Sequence, residues 1–459
     1  MSKKRHYLLL PLLFSIGFFQ LSAQSGLKIE AKIANLKPTM LVLMQHFGGQ
    51  LMPIDTAFLG TDGKIVWEEK EKIPAGMCRI VGIGRGVDIF VSDTQQFYFE
   101  ADLKDFIATI QFKNSPDNTL FFNYQRELRK RYQPLLAYRQ QAGIKDDNDT
   151  RWQSRFQELN ENIKKYVDSL YNTHTQSLAT HFLKSYQEPK LPVLPLQRLS
   201  AKDSAYLQNY AWEHYFDYTF LSDERMIYTP TFPARFERFL KIVPQMPAEN
   251  ITKLMDNLIQ QANGTIEMRK YIIGQLAQKF ELTSNPAFDA LYQHIVDNYM
   301  DKEPNLWDAS MLQKLKEIKQ IKERLAIGST FPDLSLTDIN GNEKTLTSLQ
   351  TDYTVLFFYD PGCSHCREVT PKLGALAKQN INRLKVYAVS LEADKTIWGK
   401  FIEEFQTQHF ANVCDSSRKI EFYKLGVLNY PTIYLLDHDE KLLARWLSVE
   451  QLIAYFDNR

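Results

Sequence analysis

A short apolar run, Thr354-Val355-Leu356-Phe357-Phe358-Tyr359, leads directly into Asp360-Pro361-Gly362-Cys363-Ser364-His365-Cys366. The run is rich in β-branched and aromatic residues and is bounded by Pro and Gly, which predicts a buried strand. Arg367 to Gln379 then reads as a helix, so two thiols spaced Cys-x-x-Cys stand where a strand hands over to a helix. That spacing lets the pair close a disulfide within one helical turn and cycle between dithiol and disulfide. Cys363 falls at the helix N-terminus, where unpaired backbone N–H groups favour a thiolate. Cys366, one turn inside, is expected to be buried and slower to react.

The rest of the chain surrounds this unit with two others. With 459 residues it exceeds what one core supports. From 26 to 114, short alternating runs such as Leu27 to Ile33, Met40 to Met44, Val87 to Val91 and Gln96 to Glu100 predict a β-sandwich or small barrel. Asp62-Gly63 reads as a hairpin turn. Gly82-Ile83-Gly84-Arg85-Gly86 lacks both the spacing of a phosphate loop and a following helix, and reads as a turn. After Asn114-Ser115-Pro116 the apolar period changes to three and four. Leu120 to Tyr132, Phe156 to Leu170, Ala248 to Gln261, Ile266 to Lys279, Pro286 to Tyr299 and Ala309 to Arg324 predict helices over 115–325. The fold class is therefore multidomain: a β-rich N-terminal domain, an all-α middle domain, and an α/β C-terminal domain over 326–459.

Composition narrows the function classes. A net charge of +1 gives no basic surface for nucleic acid. Lys3, Lys4 and Arg5 ahead of an apolar body, Leu8 to Leu21, and then Ser22-Ala23, form a secretory leader over 1–23. The mature protein is thus expected in the periplasm or another exported compartment of the cell envelope, and at the membrane only if the leader stays uncleaved. Four cysteines are too few for a disulfide scaffold, and Cys78 and Cys414 read as buried small apolar residues. His174, His181, His214 and His294 lack ligand spacing and read as satisfied or solvated. A zinc half-site would need a second cysteine pair.

Cys363-Ser364-His365-Cys366, Pro371 five residues later, and Leu428-Asn429-Tyr430-Pro431-Thr432 before an apolar strand resemble thioredoxin-fold oxidoreductases. The lead-in Gly328 to Leu334, with Asn340-Gly341 and Leu346, resembles the exported TlpA/ResA-like branch. The resemblance implies a thiol-disulfide oxidoreductase in which Cys363 attacks a partner disulfide and Cys366 resolves it. It implies that Pro431 is cis, opposite the cysteines, and that Tyr430, Gly362 and Ser364 face the substrate. Protein thiols or disulfides would be the partners, a membrane electron donor would serve the reducing case, and neither cofactor nor metal is implied.

The chain departs from that pattern. Gly362 replaces the usual Trp, Phe357 stands where thioredoxins carry a buried acid, and Val369 stands where the branch often has Glu. Glu368 and Asp360 are then the candidates for managing protons. His365 resembles its counterpart in strongly oxidising DsbA-type proteins and is the candidate for tuning the potential. A peroxiredoxin would need Thr or Ser at Asp360. Two non-enzymatic readings stay open: a copper module using Cys363, Cys366 and His365, and an envelope protein that binds a partner through 26–325.

Overall fold

The computed structural model describes residues 26–192, 200–285, 287–415 and 421–457. The predicted leader lies outside them, as does Pro286. The chain forms two compact units that divide after Phe236.

The first unit begins with eight strands. β1 (Lys28–Ala34), β2 (Thr39–Phe47), β3 (Gln50–Leu59), β4 (Lys64–Glu68), β5 (Gly76–Val81), β6 (Val87–Val91) and β7 (Gln96–Asp102) precede a single turn, α1 (Phe106–Thr109), and β8 (Gln111–Lys113). They build two open sheets, ordered β4-β1-β7-β8 and β3-β2-β5-β6, so the sandwich forms and the barrel does not. Alternation sends Ile29, Ala31, Ile33, Leu41, Leu43, Trp67 and Phe99 into the core. The Trp67 indole N–H donates to the Leu41 carbonyl of the other sheet at 3.3 Å.

Asp62-Gly63 does not close a hairpin. Gly63 takes a left-handed φ of +76°, but β4 pairs with β1 because that register buries Ile65 and Trp67. The tight hairpin lies earlier, between β2 and β3, with Gly48 and Gly49 both at positive φ.

α2 (Pro116–Gln141), α3 (Thr150–Thr173), α4 (Leu178–Lys184), α5 (Ala201–Glu213) and α6 (Thr231–Ile242) follow. Asn118 of α2 exchanges two 2.7 Å hydrogen bonds with the backbone of Phe90, satisfying the free edge of β6 as a neighbouring strand would. Phe121 and Phe182 pack edge-on against the Phe90 ring. His181 is buried between Asp223 (2.6 Å) and the Thr175 carbonyl (2.8 Å), a satisfied core histidine.

The second unit takes in α7 (Ala248–Gln261), α8 (Ile266–Glu281), α9 (Ala287–Ile295) and α10 (Ala309–Arg324). The helix expected to reach Tyr299 ends at Ile295 and continues as a π-helical turn, Val296–Met300. There Tyr299 Oη donates to Asp256 at 2.5 Å while His294 contacts the same carboxylate oxygen at 2.7 Å.

The last 120 or so residues hold β9 (Ser335–Asp338), β10 (Glu343–Thr345), β11 (Tyr353–Tyr359), α11 (Ser364–Gln379), β12 (Leu384–Ser390), α12 (Lys395–Glu404), β13 (Ala411–Cys414), β14 (Thr432–Asp437), β15 (Leu442–Ala444) and α13 (Val449–Asp457). One sheet, ordered β10-β9-β13-β12-β11-β14-β15, carries them. β11 is central, parallel to β12 and antiparallel to β14, and therefore buried on both faces. Val355, Phe357 and Tyr359 pack under α11, α12 and α13. Phe358 meets Phe422 and Tyr434 on the opposite face.

Candidate active site

Strand β11 delivers the chain to Asp360, where the turn is held by two bonds. The Asp360 carboxylate accepts from the Gly362 N–H at 2.7 Å, and its carbonyl accepts from the Cys363 N–H at 3.0 Å. Cys363 is the N-cap of α11, so the helix starts earlier than its apolar period indicates. Cys363 is partly exposed, and its sulfur accepts from the Cys366 N–H at 3.4 Å. Cys366, one turn in, has no exposed surface. Burial pushes its thiol up to about 12. Cys363 and Cys366 are both thiols with no bridge between them, and Cys78 and Cys414 are buried.

The opposite wall is the Tyr430–Pro431 peptide, which is cis. The Cys363 thiol donates to the Tyr430 carbonyl at 3.7 Å. The Thr432 hydroxyl donates to the Asn429 carbonyl at 2.7 Å and ties down the start of β14. Cys363, Cys366, Asp360, Tyr430 and Pro431 therefore converge.

His365 and Glu368 are placed differently. Their side chains are mostly exposed and face each other at 3.3 Å on the outer side of α11. Gly362 and Ser364 are exposed beside Cys363. Pro371 lies inside α11, where it removes one backbone donor.

Residues 327–445 match the AhpC/TSA family. They form a thioredoxin-like domain. Among curated relatives, the thioredoxin-like protein YneN of Bacillus subtilis is 31% identical over 117 residues, 24% of this chain and 65% of YneN. The thiol-disulfide oxidoreductase ResA of Bacillus cereus is 26% identical over 139 residues, 29% of this chain and 79% of that protein. This chain thus spans slightly under two thirds of YneN's length. A solved thioredoxin-like protein from Bacteroides caccae aligns with 60% of this chain and 99% of its own, at 21% identity and a TM-score of 0.47.

Phe357 is buried and stacked on Tyr359 at 5.1 Å. Within this packed layer the Tyr359 hydroxyl accepts from the Trp398 indole N–H at 3.0 Å. Burial raises the Tyr359 phenol above its ordinary range, so it stays a neutral hydrogen-bonding group. Neither Tyr359 nor Trp398 stands out in the sequence, because both fall at positions where apolar periodicity already places core residues.

Proposed function

We propose that the protein is an exported thiol-disulfide oxidoreductase that exchanges disulfides with protein substrates through Cys363 and Cys366, as reductase or isomerase. The observation that carries this reading is the asymmetry of the pair. Cys363 is partly exposed, with its sulfur between the Cys366 N–H and the Tyr430 carbonyl, while Cys366 is fully buried one turn behind it. A structural disulfide has no need of an open first sulfur.

In the reducing direction the Cys363 thiolate attacks one sulfur of a substrate disulfide. That S–S bond breaks, one substrate thiolate leaves, and a mixed disulfide forms. The Cys366 N–H, aimed at Cys363, is the donor that supports negative charge on its sulfur. Cys366 then gives up its proton and attacks Cys363, releasing the second substrate thiolate, which takes up a proton. Two electrons pass to the substrate and the Cys363–Cys366 disulfide remains. An external dithiol must reduce it again, and a membrane-bound donor of that class fits an exported domain.

The Tyr430 carbonyl supports a polypeptide substrate. It lies at the sulfur and can accept from the backbone N–H of an extended chain laid across the site. The basic head and apolar body of residues 1–23 support export.

Glutathione equilibration of the couple in a protein with Cys78 and Cys414 replaced by Ser tests the reading. A potential near or below about −230 mV marks a reductase, and one towards about −120 mV an oxidant or isomerase. Absence of any reversible couple would refute the proposal.

A further inference from the structure

Arg445 follows β15 and is 1% exposed. Its Nη1 donates to the carbonyls of Lys322 (3.3 Å) and Leu325 at the open end of α10, and its Nη2 donates to Asp289 of α9. Asp289 also accepts from Lys322 Nζ at 2.6 Å. Buried charges persist only when paired in good geometry, so this cluster joins α9 and α10 to the thioredoxin-like sheet.

The contacts continue towards the cysteines. Trp446 lies 4.5 Å from the Arg445 guanidinium, and its indole N–H donates to the Gly426 carbonyl at 3.0 Å. Gly426 has a φ of +74°, and a Cβ there would stand 2.7 Å from Leu325 Cδ1 and 3.0 Å from Tyr434 Oη. Tyr434 Oη in turn donates to the Leu425 carbonyl at 2.7 Å. Arg324 donates to the Lys424 carbonyl. Residues 424–426 thus rest on the C-terminal end of α10, and the chain reaches Tyr430 four residues later.

We infer that α9 and α10 frame the substrate-facing loop, the contacts Asp289–Arg445–Trp446–Gly426 setting where the Tyr430 carbonyl stands against the Cys363 sulfur. Arg445 and Trp446 are then positioning residues. This rests on the thiol-disulfide reading and deepens it: recognition of polypeptide disulfides depends on the frame. A small disulfide, which needs only the Cys363 sulfur, is insensitive to it.

The test uses the full chain and two substrates, insulin with dithiothreitol as recycling reductant, and 5,5′-dithiobis(2-nitrobenzoate) reacting with the reduced protein. Trp446→Phe removes one N–H and keeps the ring. It should raise KM for insulin roughly three- to thirty-fold, with kcat and the small-disulfide rate nearly unchanged. Asp289→Asn should do the same, and Asp289→Glu should recover part of the loss. An unchanged insulin KM in Trp446→Phe would overturn the frame while leaving the oxidoreductase reading intact. So would a parallel fall in both reactions that tracks loss of folded protein. A wild-type protein inert to both substrates would overturn both.

Discussion

The Cys363 sulfur and the Tyr430 carbonyl oxygen, 67 residues apart in sequence, stand 3.7 Å from each other. This distance brings the reactive atom and a backbone acceptor to one spot. Burial separates the two cysteines: Cys363 is partly exposed, whereas Cys366 has no exposed surface.

Alkylation follows from that separation. In the folded, reduced protein at neutral pH, iodoacetamide is expected to label Cys363 alone, and Cys366, Cys78 and Cys414 only after denaturation. Peptide mapping by mass spectrometry checks this, and equal labelling of Cys363 and Cys366 would contradict the arrangement.

Alkaline stability should depend on redox state. The Cys366 thiol is raised to about 12 in the fold, against about 8.5 in an unfolded chain. Below the unfolded value both states keep the proton and its contribution is fully present. As pH rises from about 9 towards 12 the unfolded chain releases a proton that the fold retains, so stability falls by at most about 1.4 kcal/mol per pH unit. Urea titrations of the reduced protein should show a slope of this sign, and Cys366→Ala should reduce it, the buried Cys78 thiol, also raised by burial, supplying part of the remainder.

The buried Tyr359–Trp398 pair is testable by deletion of one oxygen. Tyr359→Phe leaves the Trp398 indole N–H without its 3.0 Å acceptor, which is expected to cost about 1–3 kcal/mol. Trp398→Phe together with Tyr359→Phe should cost less than the sum of the single changes. Strict additivity in chemical denaturation would mean that the two side chains do not interact.

His365 is expected to tune the couple from outside the core. Its imidazole stands 3.3 Å from Glu368 on the first turn of α11, two residues after the Cys363 cap. His365→Pro should lower the reduction potential by roughly 30 mV or more, since 30 mV corresponds to about 1.4 kcal/mol for this couple. Glu368→Gln should raise it. A potential that moves with neither change would remove His365 from the mechanism.

The elements around the cysteines were legible because several independent signals agree there. An apolar run long enough for a buried strand, a Pro-Gly break, and a helical period follow one another within 27 residues of Tyr353, the first of β11. The shift from period two to period three and four near Asn114 likewise marks where strands give way to helices. What escaped were relations across the chain. Asp62-Gly63 has the chemistry of a hairpin, but the choice of partner for β4 belongs to β1, whose alternation offers a better-buried register. The division after Phe236 leaves no mark in the sequence, because it falls inside the single helix α6. Arg445 and Asp289, 156 residues apart, look like two ordinary surface charges until the fold buries them together.

In the N-terminal sheet, β1 lies between β4 and β7 and runs parallel to β7, Lys28 opposite Gln96. β1 therefore has its antiparallel partner β4 once Glu68 is made, but its parallel partner only when β7 follows some thirty residues later. Such long-range closure is slow, and it leaves this sheet incomplete until Asp102, the end of β7, has been made.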